Sequence, residues 1–345
     1  MIPATTPGRH PATTPLWQQQ LAGAICDPEA LARALDLDPA LFVRAAAASR
    51  LFRLRVPLSF VRRMRPGDAA DPLLRQVLPA AAELLEQPGF TPDPLAEHAA
   101  LKAPGLLQKY QGRALLITTG ACAVHCRYCF RREFPYADQL GNDALQQAVA
   151  AISADRSIEE VILSGGDPLT LSDARLRAVT DLLAPIPQLR RLRLHTRLPV
   201  VLPARVDAGL LEWLTHLPWP VTVVLHANHA NEIDAEVAAA CASLRAAGAT
   251  LLNQAVLLKG VNDSVAALTD LSRQLFAAGV LPYYLHLLDR VRGAAHFEVP
   301  EATARELVGH LAATLSGYLV PRLVREVAGG PAKLGVPPQF PPWKM

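Results

Sequence analysis

The chain has 345 residues, 51% of them apolar and 19% charged, which excludes a largely disordered protein and is typical of a globular one with a sizeable core. Its 34 Lys and Arg against 31 Asp and Glu leave a net charge of +3, too small to indicate a nucleic-acid partner. Pro, His and Asn interrupt the longest stretch without charge, 213–231, so we expect no membrane span.

The N-terminal part is expected to lack strands. Residues 1–16 are rich in Pro and Thr and lack the apolar core of a secretion signal, which predicts a flexible tail on a cytoplasmic protein. Residues 17–105 show helical spacing and loops, and predict a helical N-terminal region. Within it, Asp27 and Pro28 predict a helix start, with Cys26 as a packing residue just before it.

Short apolar runs alternate with helical segments over 106–300. They predict six strands, at 114–119, 161–165, 192–196, 221–226, 250–258 and 283–288. Repeated β/α alternation with strands apolar on both faces predicts a parallel sheet. Six units favour an α/β fold with a partial (β/α)6 barrel; a doubly wound sheet is the alternative, but no G-x-G-x-x-G follows a strand. Residues 301–345 are predicted to form a C-terminal helix and extension.

Unusual residues gather where the predicted strands end, which is where parallel barrels place their active sites. Cys122 follows the first strand and Asp289 the sixth. Between them, the second, third and fourth strands end in Gly165-Gly166-Asp167, Thr196 and His226, and Gln254 lies within the fifth. This coincidence predicts an enzyme.

Three cysteines fall within eight residues. Cys122, Cys126 and Cys129 form a C-x3-C-x2-C array, whereas a structural zinc site normally has four ligands. Cys26 lies far away, and Cys241 lies on the apolar stripe of a predicted helix, as a buried thiol would. Three thiolates can instead hold a [4Fe–4S] cluster and leave one iron free to take a small molecule.

This array, followed by a glycine-rich strand end, resembles the radical S-adenosylmethionine (SAM) superfamily. SGGDPL at 164–169 is similar to the loop that binds the amino group of SAM in that superfamily. The resemblance implies that the free iron chelates SAM, and that one electron from the cluster cleaves it to a 5′-deoxyadenosyl radical.

Longer segments resemble the lysine 2,3-aminomutase family. They include KYQGRALLITTGACAVHCRYCFRREFPYA, LHANHANEID, LLNQAVLLKGVND and SGYLVPRLVREVAGGPAK. LFRLRVPLSFVRRMRPGDAADPLLRQVL, FRREFPYA and GAAHF are most similar to the branch that makes β-lysine for elongation factor P. The resemblance implies conversion of L-lysine to (R)-β-lysine, a reductant such as flavodoxin or ferredoxin, and a link to elongation factor P and its lysine ligase.

The family resemblance also implies roles for individual residues. Lys333, one of only five lysines, matches the lysine that holds pyridoxal 5′-phosphate (PLP), and Arg113 and Tyr110 match contacts to that cofactor. Arg131 matches the residue that pairs with the substrate carboxylate. Asp289 and Glu326 match the pair that binds the distal ammonium of lysine, with glutamate replacing aspartate at the second position. The matching SAM contacts are Gly165, Gly166, Asp167, Thr196, His226 and Gln254.

Other interpretations stay open. A lone histidine at a strand end is more often structural, and a lysine near a C-terminus is usually solvated. The same chemistry could serve a catabolic or osmolyte-related aminomutase, and the cysteine array alone also fits an iron–sulfur module that binds SAM without turnover. The cysteines that form a zinc site in some degradative relatives are absent, since no cysteine follows Cys241.

Overall fold

The computed structural model describes residues 14–38, 40–43 and 46–342. Ten strands of the described residues form one sheet in which neighbours follow chain order. They are β1 Leu101–Ala103, β2 Leu106–Tyr110, β3 Arg113–Thr119, β4 Glu160–Gly165, β5 Arg191–Thr196, β6 Val221–Leu225, β7 Thr250–Val256, β8 Leu281–His286, β9 Arg322–Arg325 and β10 Leu334–Gly335. Strands β3 to β9 are parallel, and β1, β2 and β10 add antiparallel pairs at the two edges.

Helices cover the outer face of this open sheet. The N-terminal ones are short: α1 Leu16–Ala22, α2 Pro28–Ala34, α3 Ala40–Val43, α4 Ala46–Leu51, α5 Leu58–Val61 and α6 Pro72–Arg75. The others connect the parallel strands: α7 Asn142–Ala154, α8 Asp173–Leu183, α9 Leu198–Val201, α10 Ala208–Thr215, α11 Ala235–Ala246, α12 Val265–Ala277 and α13 Glu301–Thr314. In the described part of the chain, every helix is too short or too polar to cross a bilayer.

The predicted partial barrel is confirmed. Its six predicted strands are β3 to β8, in the predicted parallel order, and the sheet does not close. The sequence analysis missed β9, which extends the parallel sheet beyond β8, and the edge strands β1, β2 and β10. We predicted no strand before residue 105, and this is wrong for the last few residues of that region. Leu101–Ala103 pairs with β2 across a turn in which Gly105 has φ +74°. Three residues are too few to show a strand period.

Two expectations for the N-terminal part have different outcomes. Asp27 caps α2 as predicted, accepting hydrogen bonds from the backbone N–H groups of Glu29 and Ala30. Cys26 was expected to pack and is instead exposed, so that prediction is wrong. Residues 1–13 of the predicted tail lie outside the described residues, and α1 begins at Leu16.

The N-terminal region is joined to the barrel by a shared apolar core and by buried ion pairs. Glu83 binds Arg127 through both carboxylate oxygens, at 2.8 and 2.6 Å, and Arg132 at 2.9 Å. Both arginines belong to the loop that follows β3. The side chains of Glu83 and Arg127 are at most 1% exposed, so neither charge has water as an alternative partner.

We expect Glu83→Gln to lower the free energy of unfolding by about 3 kcal/mol or more, because it leaves two buried guanidinium groups without their carboxylate. Urea-induced unfolding measures the change. The matched control is Glu159→Gln, whose pair with Arg191 is about half exposed on both sides and should be worth less than about 1 kcal/mol. Equal effects in the two variants would contradict this interpretation of Glu83.

Candidate functional site

The parallel strands present polar side chains to the barrel interior. On β5, Leu192 and Leu194 belong to the apolar core beneath the helices. Because strand side chains alternate in direction, Arg193 and His195 face the opposite side. Arg193 binds Glu160 of β4 through two hydrogen bonds, at 3.1 and 2.5 Å. The interior therefore includes charged side chains that are hydrogen-bonded to one another.

The three clustered cysteines lie on the loop that follows β3. Cys122, Cys126 and Cys129 are free and half-buried. Burial, and then the Cys129 thiol, raise the pKa of Cys122 well above its usual value, while burial and Cys126 raise that of Cys129 to about 11. The thiols therefore lie near one another in surroundings that disfavour bare thiolates, so a bound metal would be needed to keep them deprotonated.

These thiols fit an iron–sulfur cluster. In the described residues, no group of three or more His, Cys, Asp and Glu is arranged around a single metal ion. A [4Fe–4S] cluster requires a wider arrangement, because each thiolate ligates a different iron. Three neighbouring thiols on one loop would satisfy that requirement and would leave the fourth iron without a protein ligand.

Two glycines at the end of β4 hold the start of the cysteine loop. Gly165 has φ +120°, and a Cβ there would lie 2.5 Å from the carbonyl oxygen of Thr119. A Cβ on Gly166 would lie 2.3 Å from the carbonyl oxygen of Ala121. The N–H of Gly166 donates to the Thr119 carbonyl at 2.7 Å. Only glycine allows this approach of two backbones, which fixes the predicted SAM loop against the predicted cluster loop.

Asp167 joins the ends of β4 and β5. Its carboxylate accepts hydrogen bonds from the Thr196 hydroxyl at 2.7 Å and from the backbone N–H groups of Arg197, Leu198 and Leu169 at 2.7, 3.1 and 3.1 Å. Burial raises the pKa of Asp167, although these donors oppose the rise. The side chains of Asp167 and Thr196, both predicted SAM residues, thus bind one another and shape the loop.

Arg197 connects the cluster loop to the N-terminal region. One guanidinium nitrogen donates to the Cys126 sulfur and to the Tyr128 hydroxyl, both at 2.8 Å. The other donates to Gln76 Oε1 at 2.7 Å and to Glu232 Oε2 at 2.8 Å. The network is buried, so its geometry is tightly determined. Sequence analysis did not assign Arg197 a role, although it follows Thr196 directly at the end of β5.

His226 and Gln254 lie on the barrel wall. His226 Nε2 is 2.9 Å from the Tyr128 hydroxyl, and the two rings stack with centroids 5.7 Å apart. Burial, and then the charge of Arg197, lower the pKa of His226 to about 3, so its imidazole is neutral at neutral pH. Gln254 lies on β7, opposite Tyr284 of β8.

Five side chains of alternating charge form a chain through the predicted substrate site. Arg131 binds Glu97 at 2.7 Å, Glu97 binds Lys109 at 2.9 Å, Lys109 binds Glu326 at 3.0 Å, and Glu326 binds Lys333 at 2.5 Å. Burial would raise the pKa of both carboxyl groups, but the cations hold that of Glu97 at about 2 and that of Glu326 well below its usual range. We call these five residues the ionic chain.

The ionic chain brings together three predicted site residues, Arg131, Glu326 and Lys333. Sequence analysis missed its other two members. Lys109 is one of only five lysines, and that scarcity could have drawn attention to it. Glu97 lies in the N-terminal region without any motif, so no sequence signal marks it.

Asp289 lies close to the ionic chain. Burial, and then the Glu326 carboxylate, raise the pKa of Asp289 to about 7, which Lys333 and Lys109 partly oppose. Two carboxyl groups that repel each other in a buried site favour a cation between them. This arrangement can therefore bind an additional ammonium group.

Two polar atoms near Lys333 lack partners. Nε2 of His195 and Nε2 of His286 are buried without a hydrogen bond to any described residue. The Tyr110 hydroxyl lies beside Glu326, and burial, followed by that carboxylate, raises the pKa of Tyr110 above its usual value. Burial, then Arg193 and then Lys333, lower the pKa of His195 well below its usual value, while burial and then Lys333 lower that of His286 to about 3. The Arg113 guanidinium lies 4.6 Å from the centre of the Tyr110 ring. Buried polar atoms without partners are rare, so this surface fits a polar ligand such as PLP.

Comparison with known proteins identifies the family. The Radical SAM superfamily model matches residues 116–271. The chain is 48% identical to the L-lysine 2,3-aminomutase of Escherichia coli strain K12, over 96% of both chains. It is 47% identical to the L-lysine 2,3-aminomutase of Haemophilus influenzae Rd, over 92% of this chain and 94% of the relative. It is 34% identical to that of Clostridium subterminale, over 94% of this chain and 78% of the relative.

The chain belongs to the lysine 2,3-aminomutase family. The resemblance predicted from its motifs is thereby confirmed, and so is the prediction of an enzyme, here an isomerase. The radical SAM domain implies a [4Fe–4S] cluster and SAM. The three cysteines, Cys122, Cys126 and Cys129, fall within the matched domain.

We expect Gly166→Ala to disturb the cluster loop. Its Cβ would meet backbone atoms of Ala121, and such overpacking costs about 1–3 kcal/mol. Thermal unfolding should show the loss, and iron and sulfide analysis should show a lower cluster content. Gly317→Ala is the control, because nothing lies within 4 Å of a Cβ there. If Gly166→Ala binds as much iron and unfolds at the same temperature as the control, the contact between the backbones of Gly166 and Ala121 does not constrain the cluster loop.

Proposed function

We propose that this enzyme converts L-lysine to (R)-β-lysine with a [4Fe–4S] cluster, SAM and PLP. The observation that carries the proposal is the position of Lys333 and Asp289 around Glu326. Lys333 binds Glu326, and Asp289 lies close enough to Glu326 for the two carboxyl groups to repel each other. A lysine suited to hold PLP and an acidic site suited to an ammonium group thus lie together.

Two groups of residues would hold the cofactors. Cys122, Cys126 and Cys129 would ligate the cluster, and the backbone of Gly165 and Gly166, with Thr196, His226 and Gln254, would contact SAM. Lys333, Arg113 and Tyr110 would hold PLP. When bound, the cluster and SAM supply a 5′-deoxyadenosyl radical, and PLP supplies an imine through which nitrogen can move from Cα to Cβ.

The charged side chains of Arg131, Glu326 and Asp289 would select the substrate. Arg131 would bind the α-carboxylate, since a guanidinium matches a carboxylate in shape and charge. Glu326 and Asp289 would bind the distal ammonium and offset its loss of water. Glutamate would place a third carboxylate against these two, so the site favours lysine. The protein's main task is to orient the substrate and keep water away from the radical.

We further propose that the product serves elongation factor P. The sequence resemblance to the branch that supplies β-lysine to the lysine ligase of elongation factor P supports this role. Flavodoxin or ferredoxin would supply the electron. A catabolic or osmolyte-related aminomutase is the alternative role.

The purified protein, reconstituted anaerobically and supplied with dithionite, SAM and PLP, should convert lysine to β-lysine. We expect Lys333→Ala to lose the visible absorption band of lysine-bound PLP and all activity, because no amine remains to hold the cofactor. The control Lys102→Ala changes an exposed lysine and should retain both. Conversion of glutamate without conversion of lysine would contradict the proposal.

The same assay separates the alternatives. With elongation factor P and its lysine ligase present, the β-lysine should be transferred to the factor, as mass spectrometry would show. Free β-lysine that the ligase does not accept would instead favour the catabolic or osmolyte role. A wild-type protein without any PLP band would favour an iron–sulfur module that binds SAM without turnover.

The value of kcat/KM for lysine should rise with pH through about 7. Asp289 has its pKa raised to about 7, so it is neutral below that pH and becomes the anion that binds ammonium above it. The charged groups that act on it are Glu326, Lys333, Lys109 and Glu97. Asp289→Asn should lower kcat/KM by about 10- to 100-fold and remove the rise. Asp181→Asn, an exposed position on α8, should leave the profile unchanged; a flat wild-type profile would refute this role.

A further inference from the structure

Glu97 fixes the orientation of Arg131. Its two carboxylate oxygens accept hydrogen bonds from Nε and Nη2 of the guanidinium, at 2.7 and 2.8 Å. The remaining nitrogen, Nη1, lies 3.4 Å from the Ser164 hydroxyl at the end of β4. Both Arg131 and Glu97 are buried. Arg131 thus has one edge committed to Glu97, and only Nη1 points toward the ends of the strands.

Glu97 also acts on the other end of the predicted substrate site. Its Oε1 accepts from Lys109, and the same lysine binds Oε1 of Glu326 at 3.0 Å. The second oxygen of Glu326, Oε2, binds Lys333. Glu97 therefore touches Arg131 directly and reaches Glu326 through one intervening ammonium group.

The fold holds Glu97 firmly in this place. The Asp93 carboxylate accepts a hydrogen bond from the backbone N–H of Glu97 at 2.9 Å, and Ala96 before it has φ +49°, a left-handed conformation that alanine rarely adopts. Thr91 is fastened to the loop after β8 by two backbone hydrogen bonds of 2.9 Å, with Arg290 and Arg292. Segment 91–97 thus runs from the loop that carries Asp289 to the side chain of Arg131.

We propose that Glu97 is a positioning residue that sets both ends of the substrate site. It turns Arg131 so that Nη1 faces the substrate carboxylate, and through Lys109 it fixes the carboxylate of Glu326 for the distal ammonium. This inference rests on the proposed function, in which Arg131 and Glu326 bind the two ends of lysine. It gives the N-terminal region a direct part in substrate recognition.

A purely structural role for Glu97 predicts a different result. If Glu97 only neutralised a buried arginine, its loss would weaken the fold and reduce the binding of every ligand alike. If it orients Arg131, its loss affects ligands that carry an α-carboxylate much more than those that lack one. Lysine and lysinamide differ in that group and share the α-amine and the distal ammonium.

The test compares the binding of lysine and lysinamide to the PLP-loaded protein by calorimetry, without SAM or reductant. Wild type should prefer lysine. Glu97→Gln should raise the Kd for lysine by about 10- to 100-fold, the range expected for losing one well-oriented charge-assisted hydrogen bond. It should raise that for lysinamide by only about threefold, because lysinamide meets Glu97 only indirectly, through Lys109 and Glu326. Glu133→Gln, which removes the exposed carboxylate that pairs with Arg292, is the matched control and should leave both constants unchanged.

Glu97→Asp keeps the measurement possible if the glutamine variant does not fold. Aspartate retains the charge but is too short to reach Arg131 and Lys109 together, so we expect a smaller loss that is again specific to lysine. Equal weakening of both ligands, or a wild-type protein that does not distinguish them, would overturn the proposal.

The outcome is separable from that of the proposed function. A protein that binds lysine selectively through Glu97 but does not convert it supports this inference and refutes the aminomutase activity. A protein that converts lysine, but whose Glu97 variants weaken both ligands equally, refutes this inference alone.

Discussion

Charge buried within the barrel has to be neutralised where it lies, and the neutralising groups come from distant parts of the chain. Arg127 and Arg131, both on the cysteine loop, are held by Glu83 and Glu97 of the N-terminal region. An unpaired charge in such surroundings would be very costly, so each ion pair fixes the position of two segments at once. The N-terminal region therefore supplies side chains that hold the cysteine loop in position.

The same strands serve the core and the site, because strand side chains alternate in direction. The outward Leu192 and Leu194 of β5 pack under the helices, while Arg193 and His195 face inward. A barrel filled with apolar side chains would leave no space for ligands. Here an open sheet whose interior carries charged side chains keeps that space, while its outer face packs into the main core.

Sequence was sufficient where the signal is local and insufficient where it is not. The β/α alternation revealed β3 to β8 because each is a short apolar run, whereas Arg322–Arg325 of β9 begins and ends with arginine and shows no such run. The cysteine array can be recognised because its three members lie within eight residues of one another. Glu97 and Arg131 are 34 positions apart, and Lys109 and Glu326 are 217 apart. Only the folded chain brings such pairs together.

The two oxygens of the Glu326 carboxylate have different partners in the ionic chain. Glu326 reaches Lys109 with one carboxylate oxygen and Lys333 with the other. If PLP is held on Lys333 as proposed, that lysine would no longer neutralise Oε2, while Lys109 would still hold Oε1 in place. The free oxygen would then meet the distal ammonium of an incoming lysine. One carboxylate that reaches both lysines can thus stay anchored through one oxygen and bind an ammonium group through the other.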